Sequence, residues 1–514
     1  MVKFVGAEEA VKNIPNGATI ATSGFVGALV PEGILKQVQK SFIENNIPKD
    51  LTIIYAAGQG DGGERGLNHL GEEGLLKCII GGHFNLTPKL GKLIMDEKVY
   101  AYNLPQGTLS QWFRDVAGRR PGTITKVGLG TFVDPRLEGG RINKKTTEDI
   151  VKVVNIDEEE WLLYPSRPID VAIIRGTTAD EDGNITLDGE VGTGEVLAIA
   201  EAAKASNGIV IAQVKNIATR GTLDPKVVKV PGVIVDYVVQ ASPEDHMMTW
   251  GHEFNPLYNG DIKAPLGALE KMPLSNRKII ARRCAMELVP NAAVNLGIGM
   301  PEGVASIAAE EGIGDQLTLT TEAGTIGGVP AGGSDFGAST NAQVILDQPY
   351  QFDYYDGGNL DLAILGLAEC DSQGNINVSK FHGRVAGCGG FINITQNSKK
   401  VVYCGTFTAG GLKEEIKDGE LHIINEGSSI KFLEHVEQVT FSGKYAMTVS
   451  QPVLYVTERA VFKLTSDGLE LTEVAPGVDI DKDILQYMEF KPIMKNVKLM
   501  DNRIFGEEVM GLVL

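Results

Sequence analysis

Cysteine is scarce, with five residues in 514, at Cys78, Cys284, Cys370, Cys388 and Cys404. The number is odd, the positions are scattered and no CxxC occurs. A disulfide framework or zinc site is therefore not expected, and a reducing, cytoplasmic setting is. Histidine is scarce as well, at seven residues, with no HExxH and no metal-spaced pair, so a metal mechanism finds no ligand set. Basic residues are in deficit: 47 Lys and Arg against 66 Asp and Glu leave a formal charge of −19. Nucleic-acid and anionic-membrane binding both need a basic face, so neither partner is expected. No apolar run approaches the ~18 residues of a membrane span. The opening segment meets Glu8 and Glu9 before any long apolar stretch, unlike a secretory signal.

What is present is an ordinary globular mixture, 43% hydrophobic and 22% charged, with an excess of glycine, 62 residues. Such an excess without a period marks many places where backbone turns tightly or approaches something closely. At a soft ~150 residues per domain the length suggests about three domains, or two large ones.

The chain repeats itself, and the repeat organises it. ATIATSGFVGALVPEG (18–33) resembles AAVNLGIGMPEG (292–303), each reading as a buried strand, a Gly-rich turn and Pro-Glu-Gly opening a helix. LTIIYAAG (51–58) matches LTLTTEAG (317–324), and DVAIIRGTTADEDGNIT (170–186) matches DLAILGLAECDSQGNIN (361–377). Short Val/Ile-rich runs alternate with helical stretches such as 32–45 and 302–312, which predicts a mostly parallel α/β sheet covered by helices. Asp418-Gly419 and Asp467-Gly468 look like hairpin turns near the end. The aperiodic stretch 241–275 reads as a linker. The expectation is two similar open α/β domains, 1–240 and 276–514, with the active site where they meet.

One position breaks the repeat. The alignment sets Ala56 opposite Glu322, so a small apolar residue in one copy is a carboxylate in the other. Glu322 falls at the carboxyl end of a predicted strand, where open α/β sheets place ligands. Gly324, Gly327, Gly328, Gly332 and Gly333 follow it, a loop whose backbone N–H groups suit an anion or a developing oxyanion. A solvated loop Glu is the ordinary alternative. Another is a dinucleotide fingerprint, with Gly297-Ile298-Gly299 before a helix and Glu322 on a ribose hydroxyl. Its third glycine arrives one residue late, at Gly303, and Pro301 intrudes where helix amides should face a pyrophosphate. Elsewhere, VAGCGGF (385–391) clusters Gly387, Gly389 and Gly390, and YNLPQGTLSQWFRD (102–115) puts Gln106 ahead of a helix carrying Trp112 and Phe113. A turn Gln is ordinarily solvated, yet its amide suits an oxyanion. Trp112 and Phe113 read as core, and Cys388 as a small buried hydrophobe rather than a nucleophile.

Together TSGFVG (22–27), YNLPQGTLSQWFRD, KVGLGTFVDPR (126–136), VNLGIGMPEGVAS (294–306), TLTTEAGTIGGVPAGG (318–333), QFDYYDGGNLDLAILGLAECDSQGNINVSKF (351–381) and RVAGCGGFINIT (384–395) resemble the family I coenzyme A transferases, in their fused single-chain propionate/acetate branch. The resemblance spans nearly the whole chain. It implies two similar α/β domains, a homo-oligomer (dimer or tetramer), and transfer of CoA between an acyl-CoA and a small carboxylate. By the same resemblance, the Glu322 carboxylate attacks the thioester, while the Gln106 amide and a backbone N–H of Gly389 or Gly390 form the oxyanion hole. It implies no metal or redox cofactor, with CoA thioesters as substrates only. CoA is anionic and so is the chain, so local cations must hold its phosphates; Lys380 and Arg384, beside the GCGG turn, are candidates or else ordinary surface cations. The nucleophile motif departs from the family pattern. The succinyl-CoA:3-oxoacid branch has Ser-Glu-Asn-Gly and propionate-type enzymes typically Glu-Ser-Gly, whereas this chain has Thr321-Glu322-Ala323-Gly324. The missing polar neighbour points to small monocarboxylates rather than dicarboxylates. A hydrolase on the same scaffold and a non-catalytic CoA or nucleotide sensor are the alternatives.

Overall fold

A computed structural model describes residues 1–265, 271–381 and 383–514. The chain divides into two compact units. The first comprises Met1–Ala264, Thr321–Asp353 and Phe381–Asn393, and the second Pro265–Thr320, Tyr354–Lys380 and Ile394–Leu514. The units are drawn differently from the halves read off the repeat. Residues 241–264, expected as linker, belong to the first unit, as do two segments of the second half. Part of that linker, 266–270, lies outside the described residues.

In the first unit the strands run Lys3–Phe4, Tyr237–Gln240, Ile209–Ala218, Val171–Asp180, Thr19–Thr22, Leu51–Tyr55, Leu76–Gly81 and Tyr100–Asn103 across one sheet. Every neighbouring pair on that path is parallel. Val171–Asp180 is buried along most of its length, as a parallel strand covered on both faces should be. Ile20, Ile53, Ile79, Val171, Ile173 and Ile211 anchor the core. In the second unit Thr318–Thr320, Ala293–Leu296, Leu362–Gly366, Val401–Cys404 and Val453–Val456 form the parallel stretch. Antiparallel Ala460–Thr465 and Gly468–Val474 extend it.

The duplication reaches individual hydrogen bonds. Asp170 Oδ2 accepts from Thr19 N at 2.8 Å, and Asp361 Oδ2 from Ala293 N at 2.8 Å. Asp180 Oδ1 accepts from the amides of Asp182 and Asn184, and Asp371 Oδ1 from those of Gln373 and Asn375. Each Asn then receives a distant glycine amide on its own Oδ1, Gly232 in one copy and Gly443 in the other. Side-chain caps at strand ends are thus part of what was copied.

The expected helices are present at Glu32–Asn45 and Gly303–Glu310. Asp418 and Gly419, at φ +54° and +80°, make the turn between Lys413–Lys417 and Glu420–Asn425, the conformation a two-residue hairpin needs. The last hairpin turns one residue earlier than expected: Thr465 pairs with Gly468, leaving Ser466 and Asp467 as the turn. Among the described residues, no helix is long and apolar enough to cross a membrane.

Candidate active site

Glu322 sits in a tight turn just past Thr318–Thr320. The Gly324 amide donates to the Thr321 carbonyl at 3.1 Å, closing four residues with Glu322 and Ala323 in the middle. Gly324 has φ +111°, and a Cβ there would run into the Leu346 carbonyl, so this corner needs glycine. A hydroxyl chain, Thr321 to Thr325 at 2.7 Å and Thr325 to Ser339 at 2.8 Å, stiffens the base of the turn. Glu322 is partly exposed, but its carboxyl accepts no hydrogen bond and meets no cation among the described residues. Burial alone pushes its pKa up to about 7, because the charged form is poorly solvated.

Ala323 packs with Phe25 and Ala57. Ala57 is the residue that the repeat aligns with Ala323, so the turn of one copy seats against the turn of the other. On either side of Ala57 the contacts continue. The Ala56 carbonyl abuts Gly82, and a Cβ on Gly82 would lie 3.3 Å from Gln106 Cα. A Cβ on Gly58 would lie 2.6 Å from His83 Nδ1.

Gln106 begins the helix Gln106–Ala117, and that start is pinned. Its own amide donates to Gly389 O at 2.9 Å, and the Gly107 amide to Asn393 Oδ1 at 3.0 Å. The Gln106 side chain is 2% exposed, and its Nε2 is buried without a partner. Leaving a buried amide donor unpaired costs about 1–3 kcal/mol, a cost that an acceptor on a ligand would relieve. The GCGG turn is held by its neighbours: Cys388 N donates to Asn103 Oδ1 at 2.9 Å and Gly389 N to Gly82 O at 2.7 Å. The Gly389 N–H is thereby spent. The Gly390 N–H makes no hydrogen bond among the described residues, so of the two glycines it is the one free to donate to a ligand. Burial pushes the Cys388 thiol far up, which keeps it from acting as a thiolate.

Comparison with known proteins fits this geometry. Residues 4–241 match the coenzyme A transferase family model. The chain is 48% identical to the caffeate CoA-transferase of Acetobacterium woodii, covering 100% of this chain and 99% of that one. It belongs to the coenzyme A transferase family. It is 42% identical to the acetate CoA-transferase YdiF of Escherichia coli K12, covering 100% of this chain and 97% of that one. The crystal structure of the acyl-CoA transferase YdiF of E. coli O157:H7, as a thioester complex with CoA, superposes with a TM-score of 0.94 at 42% identity, covering 100% of this chain and 98% of that one. The protein is a fused, single-chain family I CoA-transferase.

Within this CoA-transferase, Glu322, Gln106, Gly389 and Gly390 fall in one compact unit. The glycines after Glu322 do conformational work. The Gly324 amide is consumed by its own turn. Gly327 and Gly328, at φ +75° and +73°, face Gln343 and the Thr340 carbonyl, which leave no room for a side chain. Gly332 and Gly333 open a short turn that delivers Asp335 to Thr249, His252 and Tyr258. Arg384 is exposed and hydrogen-bonds Asn85. Lys380 belongs to the second unit, and its Nζ has no partner among the described residues. Trp112 and Phe113 are core, with Trp112 Nε1 donating to Pro165 O at 2.9 Å. Three features escaped the sequence. Asn103 bonds Gly81 O, Gly82 O and Cys388 N at once. Residues 241–264 fold back as a strap, with Trp250 against Gly27 and donating to Gly60 O at 2.9 Å. His83 lies against Gly58 and the GCGG turn; Gly-Gly-His is too short and common a string to signal it.

Proposed function

We propose that this CoA-transferase exchanges coenzyme A between a short-chain acyl-CoA and a small monocarboxylate, carrying CoA covalently on Glu322. The Glu322 carboxylate attacks the thioester carbonyl, forming an acyl-glutamyl anhydride and expelling CoA thiolate. The thiolate attacks the glutamyl carbonyl, giving a glutamyl-CoA thioester and free carboxylate. An incoming carboxylate reverses both steps and leaves as the new acyl-CoA. Each step passes through a tetrahedral oxyanion, for which Gln106 Nε2 and Gly390 N–H are the donors; losing one costs about 3 kcal/mol in the barrier. The single observation that carries this reading is a carboxyl that has no hydrogen bond or counter-ion among the described residues, in the same compact unit as two donors that have no acceptor among them.

The substrate class follows from what surrounds Ala323. Phe25, Ala57, Val26 and Phe336 are apolar and supply no cation for a second carboxylate, which favours acetate, propionate, butyrate or lactate over dicarboxylates. The names of the relatives, acetate and caffeate CoA-transferase, are both monocarboxylates. No step requires a metal or redox cofactor. Arg384 and Lys380 are the cations proposed for the CoA phosphates. A homo-oligomeric state and a cytoplasmic location complete the reading.

Incubation with acetyl-CoA alone is expected to leave a covalent CoA adduct on the peptide containing Glu322, read by intact mass and peptide mapping. An adduct elsewhere removes the assignment. Release of acetate and CoA at full rate without an acceptor establishes a hydrolase instead.

A further inference from the structure

His83 is held in place from both sides, while its ring makes no hydrogen bond among the described residues. Its carbonyl accepts from Tyr55 Oη at 3.1 Å. Before it, Asn103 Nδ2 donates to Gly82 O at 2.7 Å, and after it Phe84 N donates to Ala386 O at 2.7 Å. Its Nδ1 is buried with no hydrogen-bond partner, facing backbone where Gly58 admits the ring only because it lacks a Cβ. The other edge of the ring faces the oxyanion turn. A Cβ placed on Gly389 would sit 3.8 Å from His83 Cδ2 and 3.7 Å from Gln106 Oε1, so ring and amide border the same space. The residue is partly exposed, and Nε2 has no partner among the described residues.

The chemistry says what such a ring is for. The exchange moves carboxylate and thiolate but transfers no proton, so a titrating base has no task. Burial holds the imidazole neutral, with a pKa near 4, leaving it one N–H. With no acceptor bonded to Nδ1 among the described residues, the proton is better placed on Nε2, the nitrogen with access to the site. We propose that His83 Nε2–H is the hydrogen-bond donor that seats the small carboxylate co-substrate, a specificity-determining contact separate from the oxyanion pair. This rests on Glu322 being the CoA carrier.

The test uses the full chain with His83→Leu, His83→Met and His83→Gln, acetyl-CoA as donor and acetate or propionate as acceptor. Neither Leu nor Met donates a hydrogen bond; Gln does. The expected result is a rise of about tenfold to a hundredfold in KM for the carboxylate in the donor-less variants, the size of one lost hydrogen bond to a charged acceptor. kcat should stay within a few-fold, and the glutamyl-CoA adduct should still form from acetyl-CoA alone. His83→Gln should recover most of the KM. An unchanged KM, equal damage in all three variants, or an effect confined to kcat overturns the proposal while leaving the carrier assignment intact. Absence of any adduct in the unsubstituted enzyme overturns the carrier assignment as well. Should His83→Leu not fold, the Met and Gln pair decides.

Discussion

A carboxylate that must attack a thioester is weakened by every hydrogen bond it accepts, because each donor draws charge from the attacking oxygen. Glu322 accepts none among the described residues, and its burial shows in its ionisation. With the folded pKa at about 7 against an ordinary 4.5, kcat/KM for acyl-CoA is expected to fall about tenfold per pH unit below 7, read from an initial-rate profile. The same shift acts on stability. Between pH 4.5 and 7 the folded chain retains a proton on Glu322 that the unfolded chain gives up, so stability declines as pH rises through that window. Glu322→Gln is therefore expected to abolish exchange and to raise stability at pH 8 by up to about 3 kcal/mol, with no gain at pH 4.5. Calorimetry at the two pH values checks it. Gln106→Ala is expected to lower turnover by about a hundredfold with the fold retained, as for a lost oxyanion donor; unchanged turnover would end that role.

Turns and helix starts decide where those side chains go. Gly324→Ala asks a residue at φ +111° to push a Cβ into the Leu346 carbonyl. A loss of more than about 2 kcal/mol and of activity is expected, seen in denaturant midpoints. Gly91 is the control: it lies in the helix Pro88–Met95 with open space around it, so Gly91→Ala should stabilise by about 0.5–1 kcal/mol. Strands, helices and the Glu322 turn were legible because periodicity and internal repetition are local signals. Asn103 was not, since its three partners come from two other segments, 81–82 and 388, and no spacing along the chain announces them. The choice between Gly389 and Gly390 was equally hidden, because it depends on the Gly82 carbonyl, which lies in a distant part of the chain.

At the scale of the whole molecule, charge and duplication matter. A chain at −19 repels an anionic substrate at long range. Raising ionic strength from about 0.01 to 0.15 M shortens screening from about 30 to 8 Å, so kcat/KM for acyl-CoA is expected to rise a few-fold in stopped-flow or initial-rate assays. A steady fall would mean that local cations such as Arg384 govern capture. The copied side-chain caps show why the repeat was readable: Asp180 and Asp371 cap amides within four residues, a local pattern that a duplication preserves, while Asp170 and Asp361 reach amides on distant strands and only the structure reveals them as equivalent. The unit boundaries were not readable, because Thr321–Asp353 and Phe381–Asn393 leave their own half by contacts that no composition shift marks.

Ala323 and Ala57, equivalent positions of the repeat, share one apolar cluster. The silent copy now serves as the bearing surface for the active one, and its own corner is filled by the glycine pair at 81–82. Ala56 is fully buried, so an acid placed there would bury an uncompensated carboxylate rather than open a second reaction centre. The two corners thus do different work: one presents the acid, and the other supplies apolar ground beneath it.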